Sequence, residues 1–282
     1  MKEELLRQHT IIQCLALGFR IYRTNFIPIL ILSATLLVPP IISSILNLEI
    51  EHILFFLTIR LTEAAMTLGI VVLMFQPIFP AIGILKGTRP RLVFGAIHVG
   101  ILQFIFFLVG SMFAVLPLPL NAILFFCLII SIFAFALAQT IYIIEEERGF
   151  RALVASYRLA QTNMPKTIIT IILLGTIKLF FFSALFLSFI PNIELNPSEN
   201  EEVVTQMLTL LQNPEVLSAL RWSQYLGYVM VYPFAAIVMV LLYFDLKLKH
   251  FTIEEVSLRS RIAYLLPDPV MTPSHSPENP EN

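Results

Sequence analysis

Residues 167–190 read TIITIILLGTIKLFFFSALFLSFI, an unbroken apolar run whose single charge is Lys178. Coiled as a helix at about 1.5 Å per residue, such a run is roughly 36 Å long, enough to cross a hydrocarbon core about 30 Å thick. No alternation of apolar and polar residues runs through it, so a barrel strand is excluded and a membrane helix remains. The whole chain has the matching composition: 57% of its 282 residues are hydrophobic, 13% are charged, and 24 are Phe. Soluble domains run about 45–50% apolar and about 25% charged, so an interior of this size has no room for the surplus, and the solvent for most of the chain is lipid.

Five further stretches have the same character: Phe26–Leu46, Ala64–Leu85, Leu92–Leu116, Leu120–Ile144 and Tyr225–Phe244. The fold expected is therefore all-α, a polytopic membrane protein with six transmembrane helices. The third and fourth are joined by Pro117-Leu118-Pro119 as a central hairpin, both prolines lacking the amide a helix uses. Basic residues orient the set. With the spans so placed, 15 of the 18 Lys and Arg fall on one side, leaving Arg60, Arg221 and Lys178. The positive-inside rule puts that side, and both termini, in the cytoplasm. A net charge of -1 excludes the basic excess of a nucleic-acid binder.

The chain resembles itself at a constant offset. Phe19-Arg20-Ile21-Tyr22-Arg23-Thr24-Asn25-Phe26 precedes the first span, and Tyr157-Arg158-Leu159-Ala160-Gln161-Thr162-Asn163-Met164 precedes the fifth, 138 positions on. Both follow helix-periodic stretches, with Ile12, Leu15, Phe19 and Tyr22 in one and Phe150, Leu153, Tyr157 and Gln161 in the other. The expected organisation is a cytoplasmic amphipathic helix at 1–25, a two-span unit at 26–91 and the central hairpin at 92–147. A second amphipathic helix at 148–166 and a second two-span unit at 167–249 follow. That second unit carries an acidic outer loop at 191–221, in which Val203, Val204, Met207, Leu208 and Leu211 suggest a surface helix. The tail at 250–282, rich in Pro, Ser, Asn and Glu from about 267, is expected to be disordered.

Few residues invite chemistry. Lys178 lies roughly 18 Å beyond Lys166 along a helix, and a lysine at that depth faces the bundle interior, pairs, or snorkels. A pair with Glu63 near the outer end of span two, or a stem climbing outward, is the structural reading; an intramembrane headgroup or ion contact is the functional one. Asp245, at the inner end of span six, is placed to clasp that helix to Arg158 or Arg89. Pro77, Pro80 and Pro233 are expected to kink their helices, either for packing or around a transporter-like midplane site. Glu145-Glu146-Glu147 reads as a solvated helix end paired with Arg148 and Arg151. The five His are scattered, and no metal spacing, nucleophile elbow, phosphate loop or dinucleotide fingerprint occurs, so no catalytic, cofactor-binding or metal residue is assigned and no enzyme is expected.

Several of these segments together resemble a known family. Gly149-Phe150-Arg151-Ala152-Leu153, Ser156-Tyr157-Arg158-Leu159 and Asn163-Met164 are similar to the cytoplasmic motif of the YciC family of bacterial inner-membrane proteins. More distantly they resemble the membrane domain attached to some glycerophosphodiester phosphodiesterases. Tyr243-Phe244-Asp245-Leu246-Lys247 is similar to the Tyr-x-Asp-Leu-Arg ending of that group, and Ile177-Lys178-Leu179-Phe180-Phe181 resembles the YciC family's fifth span. The resemblance implies a multi-pass protein of the bacterial inner membrane and carries no diesterase activity with it. The function expected is non-enzymatic lipid binding or envelope maintenance, with Arg20, Arg23, Arg151 and Arg158 on anionic headgroups at about 1 kcal/mol each. A small lipid or solute transporter, and a scaffold for a membrane protein complex, are the alternatives. The partners expected are membrane lipids, and for a scaffold a further membrane protein.

Overall fold

The computed structural model describes residues 9–46, 51–73, 79–81, 84, 90–112, 133, 135–145, 147, 149–189 and 213–250. These are helical with short links and contain no strand. In chain order the helices are α1 (Ile11–Thr24), α2 (Phe26–Ser33), a 3₁₀ turn (Ala34–Leu37), α3 (Val38–Leu46), α4 (Glu51–Val72) and α5 (Pro90–Met112). They continue with α6 (Ala138–Glu145), α7 (Phe150–Thr162), α8 (Met164–Phe189) and α9 (Pro214–His250). Among the described residues, three stretches are long and apolar enough to cross a membrane: Phe26–Ser43, Met164–Phe189 and Val216–Leu248.

The first of these is interrupted by its own sequence. Pro39 and Pro40 have no amide to offer the carbonyls of Thr35 and Leu36. The chain tightens there into the 3₁₀ turn, in which the Val38 amide donates to Thr35. The Thr35 hydroxyl donates to Leu32 at 2.6 Å and meets Thr62 of α4 at 3.3 Å.

The second expected span departs from its predicted bounds. Its helix, α4, begins at Glu51 and ends at Val72, and Phe79 returns to lay its ring against Gly69, so the apolar run 64–85 is not one helix. The charges that set the predicted boundary are the reason. Arg60 and Glu63 lie one turn apart and pair at 2.9 Å, so two formal charges enter a helix as one neutral unit. The sixth span likewise extends past Tyr225–Phe244 in both directions. At 37 residues α9 is about 55 Å long, and it takes up 214–221 of the expected outer loop.

α9 is the axis of the bundle. It packs against α1, α2, α4, α6, α7 and α8, most extensively against α8. Its segment Ile237–Leu246 is almost wholly buried, with Tyr243 and Phe244 the largest enclosed side chains. α1 presents Cys14, Leu17, Gly18 and Ile21 to this core, while Ile12 and Phe19 of the predicted stripe face outward. α7 does the same, burying Ala152, Leu153, Ser156, Leu159 and Ala160 and exposing Phe150 and Tyr157. Each of these helices therefore has two apolar faces, one toward protein and one away from it. The hairpin at Pro117-Leu118-Pro119, Arg89, Arg148, Pro77, residues 190–212 and the tail after His250 lie outside the described residues.

Candidate functional site

A cluster of charged residues gathers at one end of α9, and the motif Tyr243-Phe244-Asp245-Leu246-Lys247 organises it. Positions 243 and 247 are four apart and share a helix face, while 245 points roughly 200° away. The two faces make two different clasps.

On one face, Asp245 Oδ2 accepts from Lys166 Nζ at 2.5 Å, and its Oδ1 accepts from the backbone amide of His9 at 2.6 Å. Lys166 Nζ also donates to the His9 carbonyl. Lys166 lies in the first turn of α8, the positive end of that helix's dipole, where a carboxylate is what makes a cation tolerable. His9 leads into α1, whose start is fixed by a capping box: the Gln13 amide donates to Thr10 Oγ1 at 3.3 Å and the Thr10 amide to Gln13 Oε1 at 2.8 Å. One ion pair thus joins the start of α1, the start of α8 and the end of α9. The partner of Asp245 is Lys166 and not Arg158, because the charged face of α7 turns to the other side of α9. Beside this clasp Cys14 is 1% exposed. Burial pushes its thiol up to about 11, with Lys166 pulling down and Asp245 pushing up as smaller effects.

On the opposite face, Glu145 Oε1 accepts from Tyr243 Oη at 2.6 Å and from Lys247 Nζ at 3.0 Å. Above this pair lies a cavity of about 500 Å³ between α6, α7 and α9. Arg151, Arg158, Lys247, Glu145 and Glu147 line it, over a floor that includes Ile141, Val154 and Leu159. Arg151, Val154, Ala155 and Arg158 stand at i, i+3, i+4 and i+7 of α7, so the two arginines share one face with their Cα atoms about 10 Å apart along the axis. Both are exposed, and neither forms an ion pair with a described residue. Among the described residues the expected partnership of Arg151 with the acidic run does not form: Glu145 turns to Lys247 and Tyr243 instead.

α7 can begin where it does because of Gly149. Its φ of +53° with ψ of -124° is a conformation side chains resist, and a Cβ there would stand 3.0 Å from the His98 ring. At the other side of α7, Ser156 Oγ accepts from the Leu137 amide at 3.1 Å, which fixes α6 against it.

A second polar group lies further along α9. Glu63 Oε2 accepts from Arg60 Nη1 and from Tyr232 Oη, each at 2.9 Å. Tyr232 meets the Tyr228 ring at 5.8 Å, and Lys178 Nζ stands 3.8 Å over that same ring. The expected Lys178–Glu63 pair does not form, since Arg60 already occupies the carboxylate from the same helix. Lys178 is exposed. Counting along α9 from Asp245, Tyr232 is about 20 Å away, Tyr228 about 26 Å and Trp222 about 35 Å.

Arg20 and Arg23 are exposed on α1, away from the residues lining the cavity. Pro80 does not kink a helix: it is itself non-helical and stands just before the helical residue Ala81, its carbonyl accepting from the Ile84 amide at 2.9 Å. Pro233 lies inside the continuous α9. It deprives the Val229 carbonyl of its helical donor, and the Tyr22 hydroxyl bonds the adjacent Met230 carbonyl at 2.9 Å.

Sequence reasoning gives no site role to Lys166, His9, Tyr243 or Lys247, and it reads Glu147 only as part of the acidic run. The i, i+4 spacing of Tyr243 and Lys247 on either side of Asp245 was the available signal for two of them. Among the described residues no group of three or more His, Cys, Asp or Glu could hold a metal ion. No protein-family model, no curated protein and no solved structure matches this chain.

Proposed function

We propose that this chain is a six-span protein of the bacterial inner membrane, with both termini in the cytoplasm, that binds phospholipid headgroups at its cytoplasmic end and catalyses no reaction. The observation that carries the reading is the cavity holding Arg151 and Arg158, two guanidiniums on one helix face without ion-pair partners among the described residues. Paired donors of this kind match a phosphate. The 500 Å³ volume suits a small polar group with some apolar surround.

The disposition of charge supports the membrane assignment. The Asp245 clasp and the Lys178 amine, level with Tyr228, are about 26 Å apart along α9, close to the thickness of a hydrocarbon core. Lys178 then reaches the outer boundary by its stem, and Trp222, 38% exposed, lies beyond it at interfacial depth.

Two amphipathic-helix-plus-two-span units related by 138 residues are part of the same proposal. α1 breaks at Asn25 and α7 at Asn163, and each carbonyl accepts from the amide four residues on, Ile29 at 3.0 Å and Thr167 at 3.1 Å. The outward apolar residues correspond as well, Ile12 with Phe150 and Phe19 with Tyr157, as expected of helices lying in a lipid interface. The resemblance to the YciC family favours the inner membrane over another.

Lipid mass spectrometry of the full chain, purified in mild detergent, tests the function. Wild type should retain phospholipid, and Arg151→Glu with Arg158→Glu should lose most of it. Equal lipid in both proteins would overturn the assignment, and a stoichiometric copurifying protein in place of lipid would point to a scaffold.

A further inference from the structure

The geometry points to a phosphoethanolamine headgroup, a phosphodiester joined to a primary ammonium, as the group the cytoplasmic cavity takes. This rests on the headgroup-binding reading above and adds a choice among headgroups. Five ionic side chains line the cavity, and two of them are already committed: Lys247 to Glu145, with Tyr243 bonding the same oxygen. What remains without an ion-pair partner among the described residues is Arg151, Arg158 and Glu147.

That remainder is not simply a basic patch. Two guanidiniums on one face of α7 donate to the non-bridging oxygens of a phosphate. Glu147 precedes the Gly149 turn, so it stands off the helix and meets the cavity from the link between α6 and α7. A carboxylate in that place is a liability for any purely anionic headgroup, because it adds like charge beside the phosphate. For a primary ammonium it is an acceptor. Ethanolamine offers three N–H donors two carbons from its phosphate ester, whereas glycerol offers neutral hydroxyls and choline offers no donor at all. Phe150, 60% exposed at the cavity wall, is positioned for the glycerol and first acyl carbons.

The test uses the full chain reconstituted in vesicles of equimolar phosphatidylethanolamine and phosphatidylglycerol, followed by extraction and quantification of the lipid that copurifies. Wild type should enrich phosphatidylethanolamine about fivefold over phosphatidylglycerol. Glu147→Gln should erase that preference while total bound lipid persists, and Glu147→Lys should reverse it. Arg151→Gln with Arg158→Gln should lose both lipids. A wild-type preference for phosphatidylglycerol, or an unchanged ratio in Glu147→Gln and Glu147→Lys, would overturn this inference and leave headgroup binding standing. No lipid bound by wild type would overturn both. Titrating soluble glycerophosphoethanolamine separates the sources: failure to displace lipid identifies a membrane lipid as the occupant, and full displacement identifies the free headgroup with the same chemistry.

Discussion

Replacing Asp245 with Ala removes the acceptor shared by Lys166 Nζ at 2.5 Å and the His9 amide at 2.6 Å. The side chains of this pair are only 12% and 7% exposed, so water cannot take the place of the lost carboxylate. Stranding one member of a buried pair costs about 3–5 kcal/mol. At about 2–4 °C per kcal/mol the melting temperature should fall by roughly 6–20 °C. The assay is built in: Cys14, 1% exposed beside the clasp, stays silent to a thiol-reactive fluorescent dye until the fold opens. With Cys127→Ser as background, dye fluorescence on heating reports the transition. Asp245→Leu combined with Lys166→Met removes both charges together and should cost far less than Asp245→Ala alone, since apolar replacement of a buried pair is often close to neutral. A single mutant melting within about 1 °C of its parent, or a double mutant falling as far as the single, would refute the argument that the ion pair holds this junction.

The Cys14 thiol, raised to about 11 by its burial, should resist maleimide at pH 7–8 in the folded protein and label on denaturation. The unfolded thiol ionises near pH 9 and the folded one near 11, so this group reduces stability as pH climbs through that window and contributes nothing below it, which melts at pH 8 and pH 10 will check. Gly149→Ala should destabilise by about 1–3 kcal/mol, since its φ of +53° is one that side chains resist and its Cβ would press on His98 at 3.0 Å; the dye melt reads this too. Lys178→Met removes a cation over a ring and no ion pair with a described residue, so its melt should move by less than about 1 kcal/mol, whereas Glu63→Gln disturbs bonds to both Arg60 and Tyr232 and should cost more.

The parts of this fold legible in the sequence are those governed by local rules. The apolar runs at Phe26–Leu46 and Thr167–Phe189 fall on helical segments because no charge interrupts them except Lys178, which has the stem to reach outward, and only Pro39 and Pro40 tighten the first into a 3₁₀ turn. The Asn25 and Asn163 breaks follow from residues that bond their own neighbouring backbone. What failed was pairing. Whether a charge ends a span depends on its partner, so Arg60 and Glu63, read as a boundary, form a neutral couple one turn apart inside α4. Asp245 announced a clasp, but the choice among Arg89, Arg158 and Lys166 turns on which way α7 and α8 face, a property of packing between residues 79 positions apart. The cavity was half visible: Arg151 and Arg158 were read as headgroup contacts, whereas Glu147 was submerged in an acidic run. Only the break at Gly149 sets it apart.

The Asp245 clasp also has a meaning in time. It joins positions 9 and 245, separated by 236 residues, and the face of α1 formed by Cys14, Leu17 and Ile21 is buried largely by α9. A ribosome delivers those partners at opposite ends of its task. Until α9 has been threaded into the bilayer, α1 has no seat and Lys166 no counter-charge. The first helix made is thus among the last to find its place, and an interrupted chain would betray itself to quality-control proteases by an unseated greasy helix and a stranded lysine.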